Sequence, residues 1–154
     1  MDIEAKLQEL GLTLPEAPKP VAAYVPFVQT GNLIVISGQL PFKDRHLVAT
    51  GKVASKVQQS LARSAARQCF LNALSVLGDA IDGDWNRLTR IVRLGIFVQS
   101  DDDFYDQPKV ANGASELCQE LFGDAGKHAR AAVGVNVLPL NATVELELTA
   151  EVSS

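Results

Sequence analysis

Only two cysteines and two histidines stand among these 154 residues. Cys69 and Cys118 lie far apart, show no CxxC spacing and fall inside apolar helical patterns, so they read as small buried hydrophobes rather than as a disulfide or redox pair. His46 and His128 belong to no HxxxH or HxH set, which argues against a zinc site or any other metal centre. No run of about 18 apolar residues occurs, so no membrane-spanning segment is expected. The opening Met1-Asp2-Ile3-Glu4 lacks the charged and then apolar regions of a secretory leader, and a cytoplasmic location is expected. Positive charge is also short. With a formal net charge of -4 and a pI near 5.1 the chain has no global field to draw phosphates, so nucleic acid is disfavoured as a partner.

What is present fits one ordinary globular domain: 47% hydrophobic and 21% charged residues, with enough chain for a real core. Residues 1–20 read as a short amphipathic helix, with Ile3, Leu7 and Leu10 on one side and Gly11 as its stop, followed by a connector stiffened by Pro15, Pro18 and Pro20. Residues 21–154 then form the domain proper. Tyr24–Gln29 is a strand that Pro26 consigns to a sheet edge. Leu33–Pro41 is apolar on both parities, as in a strand buried on both faces, and Lys43-Asp44-Arg45 turns into a short strand at His46–Ala49. Apolar positions recurring every three to four residues predict a helix from Ser55 to about Leu77. A strand at Arg90–Gln99 follows, then an acidic capping loop at Ser100–Phe104, and a second helix from Pro108 to Phe122 that stops at Gly123.

Two β-rich runs close the chain, one opening on Arg130 and one at Ala142, joined by Pro139-Leu140-Asn141 as if by a hairpin or slightly wider connection. That pairing would set Arg130 beside Glu145, a carboxylate clamp next to a proton-transfer group. Alternation puts Glu145, Glu147 and Thr149 on one face of the last strand, Glu147 reading as part of a solvated face. The order β-β-β-α-β-α-β-β predicts an α+β fold, one mixed six-stranded sheet with two main helices on one face. The other face, apolar in Leu33–Leu40 and Arg90–Val98, would then be covered by another subunit.

Tyr24, the run Gly31-Asn32-Leu33-Ile34-Val35-Ile36-Ser37-Gly38-Gln39-Leu40-Pro41, Phe97-Val98, Arg130 with Leu138-Pro139, and Glu145-Leu146-Glu147 together resemble the RidA/YjgF family. Its members are 2-iminobutanoate/2-iminopropanoate deaminases, also called endoribonuclease L-PSP. The resemblance spans about Tyr24 to Val152 and implies a chorismate-mutase-like homotrimer with ligand clefts between subunits. It also implies hydrolysis of small enamine and imine intermediates, such as 2-aminoacrylate, to 2-keto acids and ammonia with no cofactor. Carried over residue by residue, Arg130 matches the arginine that binds the substrate carboxylate, Glu145 the acid near the hydrolytic water, and Tyr24 the cleft tyrosine. Ser37 and Gly38 match pocket-lining positions, and Asn112 matches a cleft asparagine across a gap. Ala132 stands where many members have cysteine, so no thiol can act there. The longer N terminus and the loop at 101–109 mark a divergent subgroup.

Blander readings stand beside these. Arg130 alone would be a surface arginine, and Tyr24 beside Val25 and Phe27 would serve packing as well as chemistry. Ser37 has no His/Asp partner in its motif and Ser37-Gly38 is not a GxSxG elbow, which argues against ordinary serine-hydrolase chemistry. A noncatalytic trimer binding a small carboxylate metabolite would need Arg130 but not Glu145. An endoribonuclease would need His128 to point into the same cleft as Arg130.

Overall fold

The computed structural model of the chain describes residues 2–19 and 23–154, so the expected boundary between residues 20 and 21 lies outside the described residues. Helix α1 (Ile3–Glu9) starts where the Asp2 carboxylate accepts the Ala5 N–H at 2.9 Å, a side-chain cap for a short helix. Strands β1 (Phe27–Thr30) and β2 (Leu33–Gln39) form a hairpin, and β3 (Phe42–Lys43) pairs with β4 (His46–Leu47). Helix α2 (Gln59–Ala80), strand β5 (Leu88–Gln99), helix α3 (Gln107–Phe122), strand β6 (Ala129–Val135) and strand β7 (Val144–Val152) follow. The main sheet runs β1-β2-β7-β5-β6, with β5 and β6 parallel and every other neighbouring pair antiparallel.

The six-stranded sheet expected from the sequence is therefore a five-stranded sheet and a separate two-stranded ribbon. Asp44 and Arg45 both take left-handed backbone angles, φ 50° and 67°, and close a tight turn that pairs His46–Leu47 with its own neighbour. It cannot pair with β2, which precedes it in the chain, because β2 is already flanked by β1 and β7. The expectation that Pro26 puts the first strand at an edge holds; β1 begins at the residue after it and is the outermost strand.

A second correction matters more. The strands carrying Arg130 and Glu145 do not form a hairpin; β5 lies between them. The unit β5–α3–β6 is a parallel crossover, so β6 returns to the free edge of β5, and the chain must then pass over β5 to insert β7 beside β2. Buried Gln99 holds that passage, its Nε2 donating to the carbonyls of Asn141 and Ala142 at 3.3 and 2.9 Å.

Helices α2 and α3 cover one face of the sheet, as expected, and the core lies between. They approach so closely that a Cβ at Gly113 would collide with the backbone of Arg63. Helix α1 joins this layer by burying Ile3 and Leu7 and by donating Lys6 Nζ to the Leu121 carbonyl at 2.9 Å. Cys69 and Cys118 are buried, free thiols, as read from the sequence, and burial pushes Cys118 up to about 12. The loop at Ser100–Phe104 does not cap α3: Asp101 instead accepts the Ser55 hydroxyl at 2.7 Å, and Asp106 stands at the N-cap with no side-chain cap bond.

On the other face the apolar side chains stay open. In β2 only Ile34 and Ile36 are buried, so the expectation of burial on both faces fails within one chain. Val28, Leu33, Val35 and Val133 are 39–55% exposed. Among the described residues no helix is long and apolar enough to cross a membrane.

Candidate active site

Edge strand β6 presents Arg130. Its register partner Leu94 is buried against the helices, so the Arg130 side chain leaves the sheet on the helix side and reaches α3. Nη1 donates to Asn112 Oδ1 at 2.8 Å and to Ser115 Oγ at 3.1 Å. Asn112 and Ser115 sit three residues apart and so share one face of the helix. Two neutral acceptors hold the guanidinium, and among the described residues no carboxylate lies within ion-pair distance of it. It is a cation anchored at one nitrogen and open at the others.

Glu145 belongs to the opposite face. Buried Val144, Leu146 and Leu148 turn toward the helices, and strand alternation sends Glu145, Glu147 and Thr149 outward, as the sequence predicts. Glu145 shares its row with Phe97 on β5 and, one strand further, Val133. Its carboxylate lies over Gly38, where an added Cβ would collide with Oε1 and come within 3.1 Å of Cδ. The β2–β7 pairing is irregular between Ile36 and Gln39, and this bulge sets Ser37 and Gly38 against β7 with no side chain in the way. Partial burial first, and the charge of Glu147 second, raise the Glu145 carboxyl above its ordinary range. Glu147 is not simply solvated, as the alternation had suggested: it pairs with Arg93 Nη1 at 2.7 Å across the two strands.

Tyr24 is 68% exposed just before β1, and the Ser37 hydroxyl donates to the Val25 carbonyl at 2.7 Å. Tyr24, Ser37 and Gly38 line a cavity of about 720 Å³ whose other walls are the segment Gly11–Lys19, the β3–β4 ribbon and α2. This is ample room for a small metabolite. Ala132 turns its methyl toward the core and offers no functional group.

The structure thus brings Tyr24, Ser37 and Gly38 to one cavity and sets the Glu145 carboxylate over Gly38 without its lining that cavity, and it places Arg130 with Asn112 at the far edge of the sheet. The side-by-side placement of Arg130 and Glu145 does not occur within one chain; they leave opposite faces of the sheet, two strands apart. Ser115 was missed by the sequence reading. The signal available was its spacing of three from Asn112 on the predicted second helix. His128, invoked only for a nuclease, has both ring nitrogens engaged, Nδ1 with the Gly126 carbonyl at 2.7 Å and Nε2 with Ser115 Oγ at 2.9 Å. Among the described residues no group of three or more His, Cys, Asp or Glu side chains could hold a metal ion.

Residues 4–152 match the profile of the family described as YjgF/chorismate mutase-like, putative endoribonuclease. The chain is 40% identical over 153 residues to protein TCP17 of Trypanosoma cruzi, covering 99% of this chain and 95% of that one. It is 31% identical over 137 residues to a 2-iminobutanoate/2-iminopropanoate deaminase of Dermatophagoides farinae, covering 88% and 91%. The fold superposes with a TM-score of 0.93 on the crystal structure of a protein of unknown function from Agrobacterium tumefaciens, at 43% identity and covering 98% and 92%.

Proposed function

Because the chain belongs to the YjgF/chorismate mutase-like family, we propose that it hydrolyses small enamine and imine intermediates of the 2-aminoacrylate class to 2-keto acids and ammonia, without a cofactor, in clefts between copies of itself. The observation that carries this reading is the state of Arg130: held by neutral acceptors, unpaired by any carboxylate among the described residues, and exposed. An arginine serving only the surface has no need of two dedicated acceptors. A guanidinium so fixed grips a substrate carboxylate with parallel hydrogen bonds and thereby orients the adjacent imine carbon.

Glu145 supplies the second part. Imine hydrolysis adds water to the C=N carbon, protonates nitrogen and expels ammonia from the carbinolamine. A partly buried carboxyl with a raised pKa orients the water and exchanges protons with the substrate more readily than an ordinary carboxylate, for a gain of about 10²- to 10⁴-fold. Since Arg130 and Glu145 leave opposite faces of one sheet, the Arg130–Asn112 half of one copy meets the Tyr24–Ser37–Gly38–Glu145 half of another. The open Val28, Leu33, Val35 and Val133 surface supports such an assembly, with a homotrimer as the proposed form.

The test is release of ammonia and keto acid from freshly generated 2-aminoacrylate and 2-iminobutanoate. Wild type is expected to accelerate both, and Arg130→Ala and Glu145→Ala each to lower kcat/KM by about 10²-fold or more. If folded wild type gives no acceleration the hydrolase reading fails. Binding of 2-ketobutyrate that survives Glu145→Ala would then support a carboxylate-binding trimer. The engaged His128 nitrogens and the net charge of -4 argue against ribonuclease chemistry at this site.

A further inference from the structure

The Gly126 carbonyl can only accept, so the proton of neutral His128 is on Nδ1. Nε2 is then bare and accepts the Ser115 hydroxyl proton at 2.9 Å. With its own proton committed, Ser115 Oγ turns a lone pair to Arg130 Nη1 at 3.1 Å, while Asn112 Oδ1 takes the other Nη1 proton at 2.8 Å. One directed chain therefore runs from a main-chain carbonyl through His128 and Ser115 to the guanidinium. A serine alone could rotate its hydroxyl and donate elsewhere; the histidine removes that freedom.

From this chain we infer that Ser115 and His128 are positioning residues that preset Arg130 for a side-on grip on a carboxylate. Both protons of Nη1 are turned into the protein, which leaves Nε–H and the Nη2 edge as the paired donors for the ligand. Asn112 alone would leave the fork free to swing about a single hydrogen bond. The second acceptor fixes its plane, so less side-chain freedom is lost when a ligand binds. The ligand class follows: a planar carboxylate with two oxygens presented in the plane of that edge, as in a 2-imino or 2-keto acid, and not a lone hydroxyl or amide. This inference rests on Arg130 being the carboxylate clamp.

The experiment measures KM and kcat for 2-iminobutanoate and, in parallel, Kd for 2-ketobutyrate by calorimetry, on Ser115→Ala, Ser115→Thr, His128→Asn and the Ser115→Ala/His128→Asn pair. Thermal melts control for folding. Ser115→Ala is expected to raise KM and Kd about fivefold to tenfold, the range of one lost hydrogen bond, with kcat within about twofold. Ser115→Thr, which keeps the hydroxyl, restores both. His128→Asn keeps a donor for Gly126 but leaves the serine proton unheld, and shifts KM in the same direction. The pair is expected to be no worse than Ser115→Ala alone, because His128 acts through Ser115. Unchanged KM and Kd in Ser115→Ala, failure of threonine to rescue, or strictly additive effects would overturn the inference. If wild type binds 2-ketobutyrate but turns over no imine, the hydrolase reading falls while Kd still tests the positioning. Absence of both binding and turnover overturns both.

Discussion

Burial and the neighbouring Glu147 carboxylate both favour the neutral form of Glu145 in the folded chain. A carboxyl whose folded pKa lies above its unfolded value binds more protons in the native state between those two values, so stability falls as pH rises through that window. The cost is absent below the unfolded pKa and complete above the folded one. Glu145→Gln removes that titration. It is expected to raise the melting temperature at neutral pH relative to wild type, with the advantage shrinking as pH falls from the raised folded pKa toward the ordinary carboxylate range and gone below it. Melts of both proteins across that range check it, and an unchanged difference at every pH would contradict the assignment. The identity of Glu145 and Arg130 was legible in the sequence from alternation and family resemblance. Of the environment that tunes Glu145, the Glu147 charge was legible as the next residue on the same strand face, but the burial was not, because the carboxylate lies over Gly38, 107 positions away, only through the alignment of the sheet.

Among the elements, the helices and most strands were readable because their periods are local: α2 and α3 begin and end within a few residues of where the apolar spacing put them. The order of strands in the sheet was not readable. Alternation in β6 and β7 is the same whether they pair with each other or stand on either side of β5, and only the crossover through α3 decides between these arrangements. The short His46–Leu47 strand shows the same limit, since pattern alone does not say that both edges of β2 are taken. Helix packing has its own signature at Gly113, which sits against the Arg63 backbone where α2 and α3 cross. Gly113→Ala, though favourable for an isolated helix, forces the pair apart and is expected to lower stability by about 1–3 kcal/mol. Denaturant unfolding measures it, and a stabilised variant would mean the crossing yields more easily than its geometry indicates.

For the whole molecule, the sheet divides the candidate chemistry between two surfaces, with helices burying one face and apolar Val28, Leu33 and Val35 open on the other. Apolar residues on both parities of β2 make the open apolar face legible in the sequence, but not the fact that the same sheet separates Arg130 from Glu145. A domain that keeps its guanidinium and its carboxyl on opposite sides has consequences for inheritance as well as for assembly. Two separately defective copies, one Arg130→Ala and one Glu145→Ala, each lack what the other retains. Unfolded and refolded together in equal amounts, about a quarter of the clefts would unite an intact arginine with an intact glutamate, whatever the size of the closed ring. Recovery of about a quarter of wild-type turnover from two inactive proteins is the expected result, and no recovery would place both residues of a working site in one chain. In a cell carrying both lesions on different copies of the gene, the same arithmetic would appear as complementation between alleles.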